Sequence, residues 1–252
     1  MICHEPPCGL GDESQRHEGQ HPGAGHSAAC HPGGKTSGHP GGMPPRTLED
    51  GSPACRLIAW EVTRSCNLAC RHCRAEAHPE PYPGELSTAE AKALIDTFPE
   101  VGNPIIIFTG GDPMMRSDVY ELIAYATGKG LRCVMSPNGT LITPENAAMI
   151  REAGVQRCSI SIDGYNAETH DAFRGVPGAF EASMRGIEYL KKAGVEFQIN
   201  TTVTKNNLHD FKKIFELCER VGAAAWHIFL LVPMGRASGL ADQVITAEEY
   251  EE

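Results

Sequence analysis

The chain has 252 residues, 41% of them hydrophobic, and a formal net charge of −10 at pH 7. That length supports one substantial core or two small ones, and an acidic balance without a Lys/Arg block argues against nucleic acid as a partner. No apolar run approaches the ~20 residues of a membrane span, and the N-terminus lacks the charged-then-apolar pattern of a secretory signal. Ten cysteines in such a chain point to metal ligands and free thiols in a reducing cytoplasm, not to a disulfide framework.

Residues 1–54 form a compositional block rich in Gly, Pro and His, with almost no aliphatic side chains. It holds His4, His17, His21, His26, His31 and His39. Such a block buries too little apolar area to offset its ordering entropy, so a disordered tail is predicted. The alternative is a metal-scavenging tail, since Cys3, Cys8 and Cys30 lie among the histidines. No spacing among them specifies a site.

From residue 55 the pattern becomes one of alternating strands and helices. A strand over 57–63 is followed by Ser87 and Glu90, spaced as a capping box, and by a helix expected to bury Ala93, Leu94 and Phe98. Gly102 ends that unit and 104–109 forms a β-branched second strand. A helix from about Ser117 stops at Gly130, and 131–136 is strand three. Thr143 and Pro144 open the next helix, with Pro where no donor is missed, and Gly154 closes it. Strand four, 157–163, leads into an insert at 164–178 with no assigned element. A helix over 180–193, a strand over 196–203, a helix with Phe211, Ile214, Phe215 and Cys218 on its apolar face, and a strand over 225–232 complete the series.

Six strands alternating with five helices imply parallel strands with helices outside. An incomplete barrel and an open doubly wound sheet both satisfy the pattern, and both place ligands at the carboxyl ends of strands. The core domain is predicted at 55–240. Residues 241–252, with Thr246 and Glu249 spaced as another capping box, read as the start of a truncated C-terminal extension.

The chemistry concentrates after the first strand, in Cys66-x-x-x-Cys70-x-x-Cys73. Three thiolates on one short loop suit three corners of a cubane 4Fe–4S cluster. No fourth cysteine follows until Cys133, which leaves one iron an open position for chemistry. The competing reading is a zinc knuckle with His72 or His78 as fourth ligand. Gly110-Gly111-Asp112-Pro113 follows the second strand, and its glycines would let backbone approach a ligand where a Cβ would clash.

These two motifs, in this order and at strand ends, resemble the radical SAM (S-adenosylmethionine) superfamily. The resemblance implies a partial (β/α)6 barrel, a 4Fe–4S cluster on Cys66, Cys70 and Cys73, and SAM as the second cofactor. SAM would be cleaved reductively to yield a radical that takes hydrogen from a substrate. It further implies that the turn Gly110, Gly111, Asp112 and Pro113 meets the methionyl amino group; the usual acidic residue there is Glu, and Asp112 has a shorter reach. His72 falls where relatives often place an aromatic against adenine. Ser161 and Asp163 at the end of strand four match groups that meet the SAM carboxylate or ribose, and Val232 matches a backbone contact to adenine. By period two, Ser159, Ser161 and Asp163 share one face, as do Asn200 and Thr202.

Further stretches, 59–68, 136–140, 171–175 and 229–236, resemble the tetrapyrrole-modifying branch, most of all the heme b synthases of the siroheme-dependent heme pathway. That likeness implies oxidative decarboxylation of two propionates of iron-coproporphyrin III to vinyls. It also implies a reductant such as ferredoxin or flavodoxin, and a second 4Fe–4S cluster in a C-terminal extension. A tetracarboxylate substrate needs cations, and Arg64, Arg71, Arg74, Arg174 and Arg236 fall near the expected mouth. Relatives that act on heme d1 precursors or on peptides are the alternative. A non-enzymatic iron–sulfur or metal-binding protein is the reading from another class.

Overall fold

A computed structural model describes residues 47–251. Most of the predicted tail, with its histidines and its three cysteines, lies outside the described residues. The last part of that block, 47–54, forms a turn closed by a bridge between Thr47 and Pro53.

Six strands, β1 (Leu57–Thr63), β2 (Ile105–Gly110), β3 (Arg132–Met135), β4 (Arg157–Ser161), β5 (Glu196–Val203) and β6 (Trp226–Leu230), form one sheet in sequence order. Every neighbouring pair is parallel, with Ala59 opposite Ile107, Ile160 opposite Ile199 and Thr201 opposite Ile228. A doubly wound sheet reverses its strand order at a switch point. This order never reverses, so the sheet is the partial barrel. The helices are α1 (Thr88–Thr97), α2 (Val119–Gly128), α3 (Pro144–Glu152), α4 (Ala167–Arg174), α5 (Ala179–Ala193), α6 (Phe211–Val221) and α7 (Ala247–Glu251). Among the described residues no helix is long and apolar enough to cross a membrane.

The strands have two chemically different faces. Ile106, Phe108, Met135, Cys158, Ile160 and Ile199 point outward and are fully buried beneath the helices. Trp60 joins them, its ring 6.0 Å from Phe98 and 5.7 Å from Phe108. The inward face carries Glu61, Thr109, Ser136, Ser159, Ser161, Asn200 and Thr202. Period-two alternation thus separates an apolar outer core from a polar interior.

Several elements differ in detail from the expectation. The capping box at Ser87 and Glu90 is formed, but the buried stripe of α1 is Ala91 and Ile95, continued by Phe98, while Ala93 is exposed. Spacings of four and three put those residues on one face, and Ala93 falls off it. On α6 the buried stripe is Ile214, Leu217, Cys218 and Val221; Phe215 is exposed beside Trp226. Cys133, Cys158 and Cys218 are packed thiols whose pKa values burial pushes up to about 12. Strand β4 ends at Ser161, two residues early, and the insert after it contains α4. Asn166 caps α4 by accepting from the Thr169 N–H, and Gly175 ends it in the left-handed region.

Two predictions follow from the packing. Gly186 on α5 lies against the turn after β3: a Cβ there would sit far inside van der Waals contact with the Gly139 carbonyl and 3.2 Å from Ile142 Cβ. Ala for Gly in a helix ordinarily gains about 0.5–1 kcal/mol; here overpacking reverses the sign, and Gly186→Ala is expected to cost about 1–3 kcal/mol in urea denaturation. His170 on α4 is buried, and burial lowers its pKa from 6.5 to about 4. The unfolded chain therefore binds a proton there that the folded chain does not. Its contribution to stability is full above pH 6.5 and is lost as pH falls toward 4, a change on the order of 3 kcal/mol. His170→Gln should flatten the decline in unfolding free energy across that window.

Candidate functional site

A cavity of about 430 Å³ is lined at the carboxyl ends of the strands by Cys66, Cys70, Cys73 and, between the last two, His72. Gly110 and Gly111 line it from β2, Ser161 from β4, and Asn200 and Thr202 from β5; Val232 lines it beyond β6. Sequence reasoning named all of these residues, and the fold brings them to one place.

The cysteine loop has no regular structure, and other segments hold its backbone. Ala69 N–H donates to the Arg174 carbonyl (3.2 Å), and Arg71 N–H to that of Phe173 (3.0 Å). Arg236 reaches it from the far end of the chain: its Nε donates to the Cys70 carbonyl at 2.9 Å and its Nη1 to that of Ala77. Its own N–H donates to the Cys73 carbonyl at 3.0 Å. A glycine beside each arginine makes the approach possible. A Cβ on Gly175 would stand 2.5 Å from the Ala69 oxygen, and one on Gly235 would stand 2.7 Å from the Cys73 oxygen. Sequence reasoning offered Arg174 and Arg236 as substrate cations. The structure uses both on the loop, and the available signal was the neighbouring glycine in each case.

Each of the three sulfurs accepts N–H donors. Cys66 Sγ accepts from Leu68 N (3.4 Å) and Asn138 Nδ2 (3.8 Å), Cys70 Sγ from Arg174 Nη1 (3.6 Å), and Cys73 Sγ from Ala77 N (3.4 Å). Burial pushes the Cys66 thiol up to about 11, so its deprotonation at neutral pH requires a bound metal. All the cysteines among the described residues are free. Among those residues no three His, Cys, Asp or Glu side chains converge on a single metal ion. His78 is exposed, and the His72 ring stacks on Phe173 at 4.1 Å and 11°. Neither histidine is placed as a fourth ligand beside the three cysteines. Three thiolates with their own N–H donors, facing one cavity, fit a multinuclear iron–sulfur cluster.

Three of the named residues, Asp112, Pro113 and Asp163, do not line this cavity. Asp112 is fully buried; one carboxylate oxygen accepts from Met114 N and the other from Asn138 N, each at 2.8 Å. Burial raises its pKa to about 6. It braces Asn138, the residue that donates to Cys66. Pro113 is buried at the start of a short turn over Pro113–Met115. Asp163 is also fully buried, beside a second cavity of about 190 Å³, and pairs with Arg174. The period-two argument carried Asp163 past the end of β4, where alternation stops. The glycine turn also packs closely on the segment that leads into the cysteine loop: a Cβ on Gly111 would lie 2.6 Å from the Arg64 carbonyl oxygen. His72 is neutral at pH 7, burial having lowered its pKa to about 4.

Comparison with known proteins agrees with this geometry. Residues 60–218 match the family model of the radical SAM superfamily. The chain is 81% identical over 214 residues to an AdoMet-dependent heme synthase of Nitratidesulfovibrio vulgaris, covering 85% of this chain and 58% of that protein. It is 79% identical over 238 residues to an AdoMet-dependent heme synthase of Oleidesulfovibrio alaskensis, covering 94% of this chain and 61% of that one. The chain thus spans about three fifths of the length of these relatives. Native anSMEcpe with bound AdoMet and Cp18Cys peptide shares the fold, with a TM-score of 0.65, 22% identity, and coverage of 79% of this chain and 57% of that one. With its three cysteines, its glycine turn and its six-strand partial barrel, the chain belongs to the radical SAM superfamily.

Proposed function

We propose that Cys66, Cys70 and Cys73 hold one 4Fe–4S cluster, and that SAM lies between it and the inner faces of β4 and β5. The observation that carries this reading is that the three cysteines, the Gly110–Gly111 turn, Ser161, Asn200 and Thr202 line one cavity. When both are bound, the cluster and SAM supply the radical that removes hydrogen from the substrate. The chain's own residues position and shield. Leu68 N, Asn138, Arg174 and Ala77 N fix the sulfurs. The inward hydroxyls and amide of Ser161, Thr202 and Asn200 offer hydrogen bonds to a polar cofactor. We assign this work to a core domain at 55–240.

For the whole protein we propose oxidative decarboxylation of iron-coproporphyrin III propionates, giving heme b. The named relatives support this, and so does the cavity's chemistry. Phe229, Leu230, Leu231 and Val232 give one side of it an apolar wall suited to a macrocycle. Arg74 lines the cavity and is exposed, paired with Glu61 at 3.1 Å, and Arg71 is exposed nearby in sequence. These two replace Arg174 and Arg236 as candidates for meeting carboxylates. Arg64 is committed to the Ala75 carbonyl and to the Tyr82 ring. A second 4Fe–4S cluster outside these 252 residues, a ferredoxin or flavodoxin as reductant, and a cytoplasmic setting complete the proposal.

Anaerobic reconstitution of the chain should give about four irons and four sulfides, and reduction with SAM should release 5′-deoxyadenosine. Ala at Cys66, Cys70 and Cys73 together should abolish both. Stoichiometric zinc without sulfide would overturn the cluster. With iron-coproporphyrin III, these 252 residues are expected to make 5′-deoxyadenosine and little divinyl product. The absence of any substrate-stimulated SAM cleavage would overturn the tetrapyrrole reading.

A further inference from the structure

The three cysteines differ in what they receive. Cys66 and Cys73 accept only neutral donors, whereas Cys70 accepts from a guanidinium. That guanidinium is almost fully enclosed, with 9% of its side chain exposed against 0% for Asp163, and its Nη2 lies 2.5 Å from Asp163 Oδ2. Asp163 is itself tied down. Its Oδ1 accepts from Thr202 N at 2.8 Å, and its own N–H donates to His170 Nδ1 at 3.2 Å. The pair sits at the end of α4, whose last carbonyls hold Ala69 and Arg71. A buried ion pair is rarely worth its desolvation as a stabiliser. This one lies beside a metal-ligating sulfur, between the cysteine loop and β5.

We propose that the Arg174–Asp163 pair sets the reduction potential of the cluster through Cys70, with Arg174 favouring the reduced state and Asp163 moderating it. This rests on the cluster reading above. Reduction adds one negative charge, shared between iron and sulfur. A cation hydrogen-bonded to a ligating sulfur stabilises that added charge, and hydrogen bonds to sulfur and local charge are among the determinants of cluster potential. Asp163 touches Arg174 but is one residue further from the sulfur, so it subtracts from the effect without cancelling it. Low dielectric inside the fold keeps both charges effective over this distance. Asp163 thus acts in this proposal as the counter-ion of Arg174.

The opposite signs of the two charges make the test. The full chain is reconstituted anaerobically as wild type, Asp163→Asn, Arg174→Lys and the double variant Asp163→Asn/Arg174→Gln. Iron and sulfide are counted, and the reduced cluster is titrated against ambient potential by electron paramagnetic resonance. Asp163→Asn is expected to raise the reduced-to-oxidised ratio at fixed potential about tenfold, equivalent to about 59 mV for one electron. The double variant should fall below wild type, and Arg174→Lys should stay near it. The double variant leaves no unpaired buried charge, so it tests the proposal even if Asp163→Asn fails to fold; its potential must then lie below that of Arg174→Lys. Potentials that do not move, or that move the same way in Asp163→Asn and the double variant, overturn the proposal. So does a natively folded double variant that binds no cluster, which would make the pair purely structural. Wild type without iron and sulfide is a different failure, that of the cluster reading beneath it.

Discussion

Backbone hydrogen bonds from distant segments to an irregular loop are the constraint on which the site depends. A loop that must present three sulfurs in one direction cannot be helical or extended throughout, so its amides and carbonyls need partners from elsewhere. The end of α4 supplies carbonyls to Ala69 and Arg71, and Arg236 supplies donors to Cys70, Cys73 and Ala77. The turn after β2 supplies two more, with Gly111 N donating to the Thr63 carbonyl at 2.9 Å and Asp112 N to that of Ser65 at 2.7 Å. Folding of the whole barrel is therefore a precondition for the geometry of eight residues.

The sheet divides labour by parity. Residues of one parity carry the apolar load under the helices, and those of the other are free to be polar because nothing packs on them. This lets Ser159, Ser161, Asn200 and Thr202 occupy strands without breaking the core. The inner polar groups also partner one another: Gln198 Nε2 lies 3.0 Å from Asn200 Oδ1 and 3.0 Å from His227 Nδ1.

Much of this was legible in the sequence. Glycines and caps punctuate the βα units, and the capping box at Ser87, the proline opening α3 and the spacing of the cysteines all act locally, so local reading finds them. What was not legible depends on distance. Arg174 and Arg236 read as free cations because their partners on the cysteine loop lie far away in sequence, 104 residues from Arg174 to the Cys70 sulfur and 166 from Arg236 to the Cys70 carbonyl. Asp163 read as sharing the inner face because strand alternation was extended past the last residue of β4, and Asp112 because its turn resembles the family's. Helix α4 was missed because it is short, although Asn166 and Gly175 mark its ends. The direction in which a charged side chain turns after a strand stops is decided by tertiary partners.

Strand β6 pairs with β5 alone among the described residues, and Ile228 and Leu230 on it are each 47% exposed. An extended edge with unpaired amides and apolar side chains is a template on which another strand can add. Electrostatic repulsion between copies, from a net charge of −10, opposes that addition at neutral pH. Added salt shortens the reach of that repulsion to about 3 Å near 1 M and leaves the apolar attraction in place. Colloidal behaviour of these residues in solution is thus governed by ionic strength, with low salt keeping the edges apart.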